Sequence, residues 1–153
     1  MNALELKIPP PIVALLIAAA MWAVSLVTPV ADVPVHLRLV ATIVIALAGV
    51  AIAIAGVVAF HRAKTTVNPL RPRTTTSLVT SGIYRFTRNP MYVGLAFALL
   101  AWAVFLSSAW DLLGPWIFAL YMTRFQIIPE ERVLSGIFGT TYSEYQARVR
   151  RWL

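Results

Sequence analysis

Four apolar stretches, separated by polar segments, run along the 153-residue chain. Three of them, 11–31, 39–60 and 90–110, carry no charge, and a fourth, 112–128, is interrupted only by Arg124. Each is close to the roughly 20 residues that an α-helix needs to cross the hydrocarbon core of a bilayer. The pattern therefore predicts an all-α polytopic membrane protein, with about four transmembrane helices in a single domain.

The first apolar stretch has a second interpretation, as a secretory signal peptide. The segment before it carries Glu5 beside its only basic side chain, Lys7, and the stretch is longer than the apolar core of a signal peptide. We therefore favour a transmembrane helix at 11–31.

Composition agrees with a membrane protein. Hydrophobic residues make up 59% of the chain and charged residues 12%, and the mean hydropathy is +0.77, which is more than a soluble domain of this size needs for its core. The absence of cysteine excludes disulfides, thiolate nucleophiles and thiolate metal sites. With only two isolated histidines, we predict no metal site.

The basic residues are distributed unevenly between the connections. Only Arg38 lies between the first two predicted spans, and the turn at 107–111 has none. Apart from Lys7 near the N-terminus, the others cluster in the connection 61–89 and in and after the fourth span (Arg62, Lys64, Arg71, Arg73, Arg85, Arg88; Arg124, Arg132, Arg148, Arg150, Arg151). Because short cytoplasmic loops hold the excess of Lys and Arg, both termini are predicted to face the cytoplasm, in the inner membrane of the cell.

The charge distribution also bears on partners. A basic surface along one leaflet attracts anionic lipid head groups, so membrane lipids are predicted partners. The basic residues follow no RNA- or DNA-binding motif, and a nucleic-acid partner is therefore not expected. The sequence leaves the oligomeric state open.

The connection 61–89 is too long for a simple turn. Pro69 and Pro72 exclude a continuous helix, and the apolar pair Leu78 and Val79 near its end predicts that its second half packs against the bundle. A binding segment and a solvated linker are both compatible with this composition.

The residues after the fourth span, 129–153, predict cytoplasmic helices that form a cap. Pro129 suits the first position of a helix whose apolar stripe ends at Gly139. Thr141 and Glu144 form a capping box for a second short helix, whose apolar positions continue to Trp152.

Two charged clusters are expected to meet on the cytoplasmic side. One cluster leads into the third span and comprises Arg85, Arg88, Asn89, Pro90 and Tyr92. The other lies at and after the end of the fourth span and comprises Arg124, Glu130 and Glu131. If these spans form a hairpin, the clusters are neighbours, and together they suit a ligand that carries both charges. Taken singly, the arginines could instead be lipid-facing anchors, and the glutamates could complement a helix dipole.

Two sequence blocks resemble a known family. They are LVTSGIYRFTRNPMYVG (78–94) and, one hairpin later, EERVLSGIFGTTYSEYQARVRRW (130–152). They are similar to the integral-membrane S-adenosylmethionine-dependent methyltransferases, which include isoprenylcysteine carboxyl methyltransferase and the phospholipid N-methyltransferases. Asn89 stands where the isoprenylcysteine branch commonly has His. The first block is similar to the phospholipid branch and the tail looks like the other, so the methyl acceptor stays open.

The resemblance implies a binding pocket for S-adenosylmethionine. Its implied lining is Leu78, Val79, Gly82, Tyr84, Arg88, Asn89, Tyr92, Glu130 and Glu131. The chemistry agrees, because an arginine suits the α-carboxylate of this cofactor, a carboxylate suits its ammonium, and an aromatic ring suits its adenine or sulfonium. For catalysis we expect Glu131 to act as general base on an amine or thiol acceptor, and Arg124 to hold an anionic group of the substrate.

The sequence therefore predicts a membrane-embedded methyltransferase acting on a lipid-like or hydrophobic acceptor (carboxylate, amine or thiol) that enters from the bilayer. An alternative is a non-catalytic membrane protein that binds lipid or a partner with the same architecture. A small multi-span reductase is a third, but the chain carries no dinucleotide-binding fingerprint.

Overall fold

The computed structural model describes residues 5–62 and 78–153, and it is helical throughout these ranges apart from connecting segments and one isolated β-bridge. The helices are α1 (Pro10–Ser25), α2 (Val35–Arg62), α3 (Pro90–Leu106), α4 (Leu113–Met122) and α5 (Ile128–Arg148). Short 3₁₀ turns, Gly82–Arg85 and Ala109–Leu112, precede α3 and α4, and a π-helical turn, Thr123–Ile127, joins α4 to α5. The predicted all-α class is confirmed for the described residues.

Among the described helices, α2 is the one long and apolar enough to cross a membrane by length and composition. Its most apolar 18-residue window has a mean hydropathy of 2.9, and most of that window faces outward. Val40, Val44 and Leu47 on this face are each more than half exposed. Large exposed apolar surfaces mark sites of contact with a membrane or with another protein. α1 and α3 are apolar but shorter, so a four-span arrangement stays a prediction.

Small residues bring α2 and α3 into close contact. A Cβ atom added to Gly94 would lie 2.8 Å from both the Cβ of Ala53 and the carbonyl oxygen of Gly49. A Cβ added to Gly49 would lie 2.7 Å from the Cβ of Phe97. Membrane helices use such small residues to let their backbones approach. The contact fixes the position of α3, whose first turn carries part of the candidate site.

The other side of α3 packs against α1, α4 and the π-helical turn. Phe118, Met122 and Ile127 are fully buried there, together with Tyr92 and Leu99 from α3. A hydrogen bond from the Trp102 Nε1 to the carbonyl of Ala18 (3.1 Å) links α3 to α1. α3 is therefore the central helix, with α2 packed on one side and α1, α4 and the π-helical turn on the other.

The helix that follows the fourth apolar stretch, α5, begins at Ile128 and has Pro129 in its first turn, as predicted, but it has no free N-terminus. Thr123, Ile127 and Ile128 all have right-handed helical backbone angles, so α4, the π-helical turn and α5 are continuous. Proline has no N–H and its ring excludes the usual bond to the carbonyl four residues earlier. That carbonyl, of Phe125, instead accepts a hydrogen bond from the Leu6 N–H at 3.1 Å.

The last part of the chain agrees with the prediction at Gly139 and differs from it further on. Gly139 has φ 52° and ψ −126°, which bends α5 at the residue where the apolar stripe was expected to end. The second helix was expected to continue to Trp152, but it ends at Arg148, and Val149 is extended. Residues 149–152 then run beside 87–89, because backbone pairing with that segment replaces the helical hydrogen bonds.

The connection between α2 and α3 is described only in part. Pro69 and Pro72 lie outside the described residues. At the end of the connection, Val79 is buried against Ala59 and Tyr84, as its apolar character predicts, and Leu78 is partly buried.

The α2–α3 contact generates a prediction about stability. Gly94→Ala should lower the free energy of unfolding by about 1 to 3 kcal/mol, because the added methyl group overlaps Ala53 and the backbone of Gly49. Gly136→Ala is the matched control, since nothing lies within 4 Å of its added Cβ and alanine favours the helix. Thermal unfolding in detergent measures both. Equal midpoints for the two variants would contradict the packing described here.

Candidate functional site

The start of α3 and the start of α5 meet, as the hairpin prediction requires. The Tyr92 hydroxyl donates a hydrogen bond of 2.6 Å to Oε1 of Glu130. The Gln126 Nε2 donates to the same oxygen at 2.8 Å. Gln126 belongs to the π-helical turn and is buried, and its spacing of four residues from Glu130 places both on one helix face.

Gln126 was not singled out in the sequence. Its only signal there is an amide side chain inside an otherwise apolar stretch, four residues before a carboxylate. π-Helical turns often occur at functional sites. Here the turn places a buried amide beside a site carboxylate.

Glu130 titrates in an unusual range. Burial raises the pKa of its carboxyl from the ordinary 4.5 to about 7, against the lowering effect of the hydrogen bonds from Tyr92 and Gln126, and neighbouring Glu131 raises it further. Removal from water disfavours the charged form of a carboxyl group. A cation bound beside Glu130 would therefore stabilise its carboxylate.

Glu131 forms ion pairs with two arginines that come from different segments. Nη2 of Arg88 lies 3.2 Å from Oε1 of Glu131. Arg151 donates from Nε to Oε1 at 3.0 Å and from Nη2 to Oε2 at 2.7 Å. The Arg88 and Glu131 side chains retain only 10% and 12% of their exposure. Charge-assisted bonds with this geometry are among the stronger polar contacts in proteins.

The continuous helix removes an alternative explanation for the paired glutamates. A helix dipole acts at a free N-terminus, where N–H groups lack partners. Glu130 and Glu131 lie far inside the helix that begins at Leu113. Their side-chain contacts therefore account for the two carboxylates better than helix-dipole complementarity does.

Arg88 has unused donors. Its Nε and Nη1 are buried and have no hydrogen-bond partner within 5–62 and 78–153. Buried polar groups are nearly always satisfied, so such nitrogens indicate a missing partner. The Tyr142 phenol lies close by: burial raises its pKa to about 12 and Glu131 adds to the increase, whereas the charge of Arg88 and a side-chain hydrogen bond with Arg88 lower the pKa. Each of these N–H groups can donate a charge-assisted hydrogen bond to a carboxylate oxygen.

The other predicted lining residues shape the site through the backbone. The Tyr84 carbonyl accepts a hydrogen bond from the Tyr145 hydroxyl (2.7 Å). Gly82 has φ 62°, a backbone conformation that favours glycine, and begins the turn that carries Tyr84. The Nδ2 of Asn89 donates to the carbonyl of Arg151 (2.8 Å) and so holds the end of the chain.

Arg124 is not joined to this cluster. Its Nη1 lies 3.4 Å from Oε1 of Glu5, and its side chain is 49% exposed. Glu5 also lies 3.6 Å from Nη1 of Arg132, so the beginning of the described chain is fastened to α5 by charge. A role for Arg124 in substrate binding stays a prediction.

Comparison with known proteins identifies the family. The family model described as phospholipid methyltransferase matches residues 37–141, which is more than half of the chain. An uncharacterized protein of Haemophilus influenzae is 44% identical over 63 residues, which are 41% of this chain and all of that protein. No solved structure matches the chain.

The chain belongs to the phospholipid methyltransferase family. The resemblance predicted from the two sequence blocks is thereby confirmed. Family membership indicates methyltransferase activity, and together with the apolar helix α2 it supports association with a membrane.

Proposed function

We propose that this protein is a membrane methyltransferase that uses S-adenosylmethionine and methylates a lipid-like acceptor. The observation that carries the proposal is that Nε and Nη1 of Arg88 are buried and have no hydrogen-bond partner among the described residues, beside the Glu131 carboxylate, whose neighbour in the helix is Glu130. A cationic and an anionic group side by side fit the amino-acid end of this cofactor, which bears an α-carboxylate and an α-ammonium. The residues of the site are therefore chemically suited to bind S-adenosylmethionine.

The two glutamates receive different roles. Both oxygens of Glu131 already accept hydrogen bonds from guanidinium groups, so Glu131 neutralises and orients Arg88. Glu130 has no cationic partner within 5–62 and 78–153 and accepts only from uncharged donors. We therefore assign the ammonium of the cofactor to Glu130 and its carboxylate to Arg88.

When bound, S-adenosylmethionine supplies an electrophilic methyl group on a positively charged sulfur. The contribution of this chain is to bind, to orient and to exclude water, which together account for much of the rate in such displacements. Tyr92 and Tyr142 are buried and offer aromatic faces for a cation or an adenine ring. Glu131 is a poor general base because both its oxygens are engaged, and a carboxylate acceptor needs no base.

The acceptor is proposed to reach the site from the bilayer. The support is the family, whose name specifies phospholipids, and the outward apolar face of α2. We further propose that α1, α2, α3 and α4 each span the membrane, with the site at the cytoplasmic surface where the basic residues accumulate. Lateral entry keeps an apolar substrate out of water throughout.

Titration calorimetry with S-adenosylhomocysteine in detergent tests this proposal. The wild type should bind, and Glu130→Gln should weaken binding about 10- to 150-fold, the value of a charge-assisted contact of roughly 1.5 to 3 kcal/mol. Affinity should also rise with pH and level off near pH 7, because below that pH the raised pKa keeps Glu130 protonated and a proton must leave on binding. Glu130→Gln should lack this pH dependence.

Glu144→Gln is the matched control, because Glu144 is an exposed carboxylate on the same helix. It should bind as the wild type does. Absence of binding by the wild type would remove the cofactor from the proposal and favour a non-catalytic lipid-binding protein. If the dissociation constant changes neither with pH nor in Glu130→Gln, only the assignment of the ammonium to Glu130 is contradicted.

Sidedness has a separate test. Cysteines introduced singly at Ser143 and Asp32, both exposed, should react with a membrane-impermeant thiol reagent from opposite sides. In intact cells Asp32→Cys should be labelled, whereas Ser143→Cys should be labelled only after the cells are opened. Labelling of Ser143→Cys from outside intact cells would reverse the proposed orientation.

A further inference from the structure

The last residues of the chain form a strap across the candidate site. We call residues 149–153 the C-terminal strap; it follows α5 with Val149 in extended conformation. The Arg88 N–H donates to the carbonyl of Arg150 at 3.0 Å, and Thr87 and Arg150 form an isolated parallel bridge. The Trp152 Nε1 donates to Thr123 Oγ1 at 3.1 Å, which fastens the strap to the π-helical turn.

The attachment of the strap places Arg151 beside Glu131. Asn89 holds the Arg151 carbonyl on one side, and the guanidinium binds both oxygens of Glu131 on the other. The backbone and the side chain of Arg151 are thus fixed independently. A planar guanidinium that forms two parallel bonds also fixes the orientation of the carboxylate.

The orientation of Glu131 decides which donors of Arg88 remain unused. Arginine and carboxylate usually pair through two parallel bonds. Because the fork of Arg151 engages both oxygens of Glu131 and fixes the direction of the carboxylate, Glu131 meets Arg88 at Oε1 through Nη2. The Nε and Nη1 of Arg88 are consequently left without a hydrogen-bond partner in the part of the chain that the structure describes.

We propose that Arg151 is a positioning residue that prevents Glu131 from pairing fully with Arg88 and so keeps Nε and Nη1 of Arg88 available for the carboxylate of the cofactor. This inference rests on the proposed function, and it assigns a specific task to the strap, which lies beyond the residues that the family model matches. Without Arg151, Glu131 is free to turn both oxygens to Arg88 and to occupy one of the two donors that the ligand would use.

A purely structural role for the strap makes a different prediction. If Arg151 only stabilises the fold, its loss should weaken every ligand alike. If it keeps Arg88 open, the loss should appear only for ligands that carry the α-carboxylate. Decarboxylated S-adenosylhomocysteine lacks this group alone and separates the two cases.

The experiment titrates S-adenosylhomocysteine and its decarboxylated analogue into the full-length protein in detergent. Arg151→Gln should weaken the first ligand about tenfold or more, equal to about 1.4 kcal/mol, and change the second less than twofold. Arg151→Lys should give an intermediate loss, because an ammonium cannot bind both oxygens in the fixed fork geometry of a guanidinium. Arg150→Gln removes the same charge from an exposed position of the strap and should bind both ligands as the wild type does.

Three results would overturn the inference. No binding of S-adenosylhomocysteine by the wild type overturns it together with the proposed function. Wild-type affinity in Arg151→Gln overturns the inference and leaves the proposed function intact, and so does an equal loss for both ligands. Should Arg151→Gln fail to fold, the same comparison on Arg151→Lys decides, since that variant keeps the charge.

Discussion

The Glu131 carboxylate is shared by two arginines that lie 63 residues apart in the chain, Arg88 before α3 and Arg151 in the strap. Three segments depend on it: the start of α3, α5 and the end of the chain. Removing the Glu131 carboxylate would leave the guanidinium of Arg88, which is only 10% exposed, buried without compensation, at a cost of about 3 to 5 kcal/mol. The same contact governs the site, because it leaves part of the Arg88 guanidinium unused.

A second constraint places the glutamates opposite this arginine. Pro129 forbids a regular helix at a point where the chain nevertheless continues as a helix, and the π-helical turn at Thr123–Ile127 resolves the conflict. The Leu6 N–H then satisfies the Phe125 carbonyl. The outcome is one long helix that extends from the apolar bundle to the charged site, with Gln126 and Glu130 on the face that meets Tyr92.

Local patterns in the sequence predicted the helices. The features that these patterns did not predict depend on contacts between residues far apart in the chain. The apolar runs predicted the helices, and the hairpin argument predicted that Tyr92 and Arg88 meet the paired glutamates. The strap was predicted as helix because Tyr145, Val149 and Trp152 recur at helical spacing. Its extended conformation depends on pairing with residues about 60 positions earlier in the chain. The spacing of apolar residues within the strap gives no information about that pairing. Arg124 was predicted to bind the substrate because it is an ionisable residue inside an apolar stretch. Its pairing with Glu5 is also a contact between distant residues, which the local sequence does not indicate.

The most direct test is an experimental structure of the protein in a lipid nanodisc with S-adenosylhomocysteine bound. The account predicts the ligand carboxylate within about 3.2 Å of Nε or Nη1 of Arg88, and its ammonium at hydrogen-bond distance from Glu130. Arg151 should remain on Glu131. An amino-acid end bound away from Arg88, or a Glu131 paired to Arg88 through both oxygens while the ligand is bound, would contradict it.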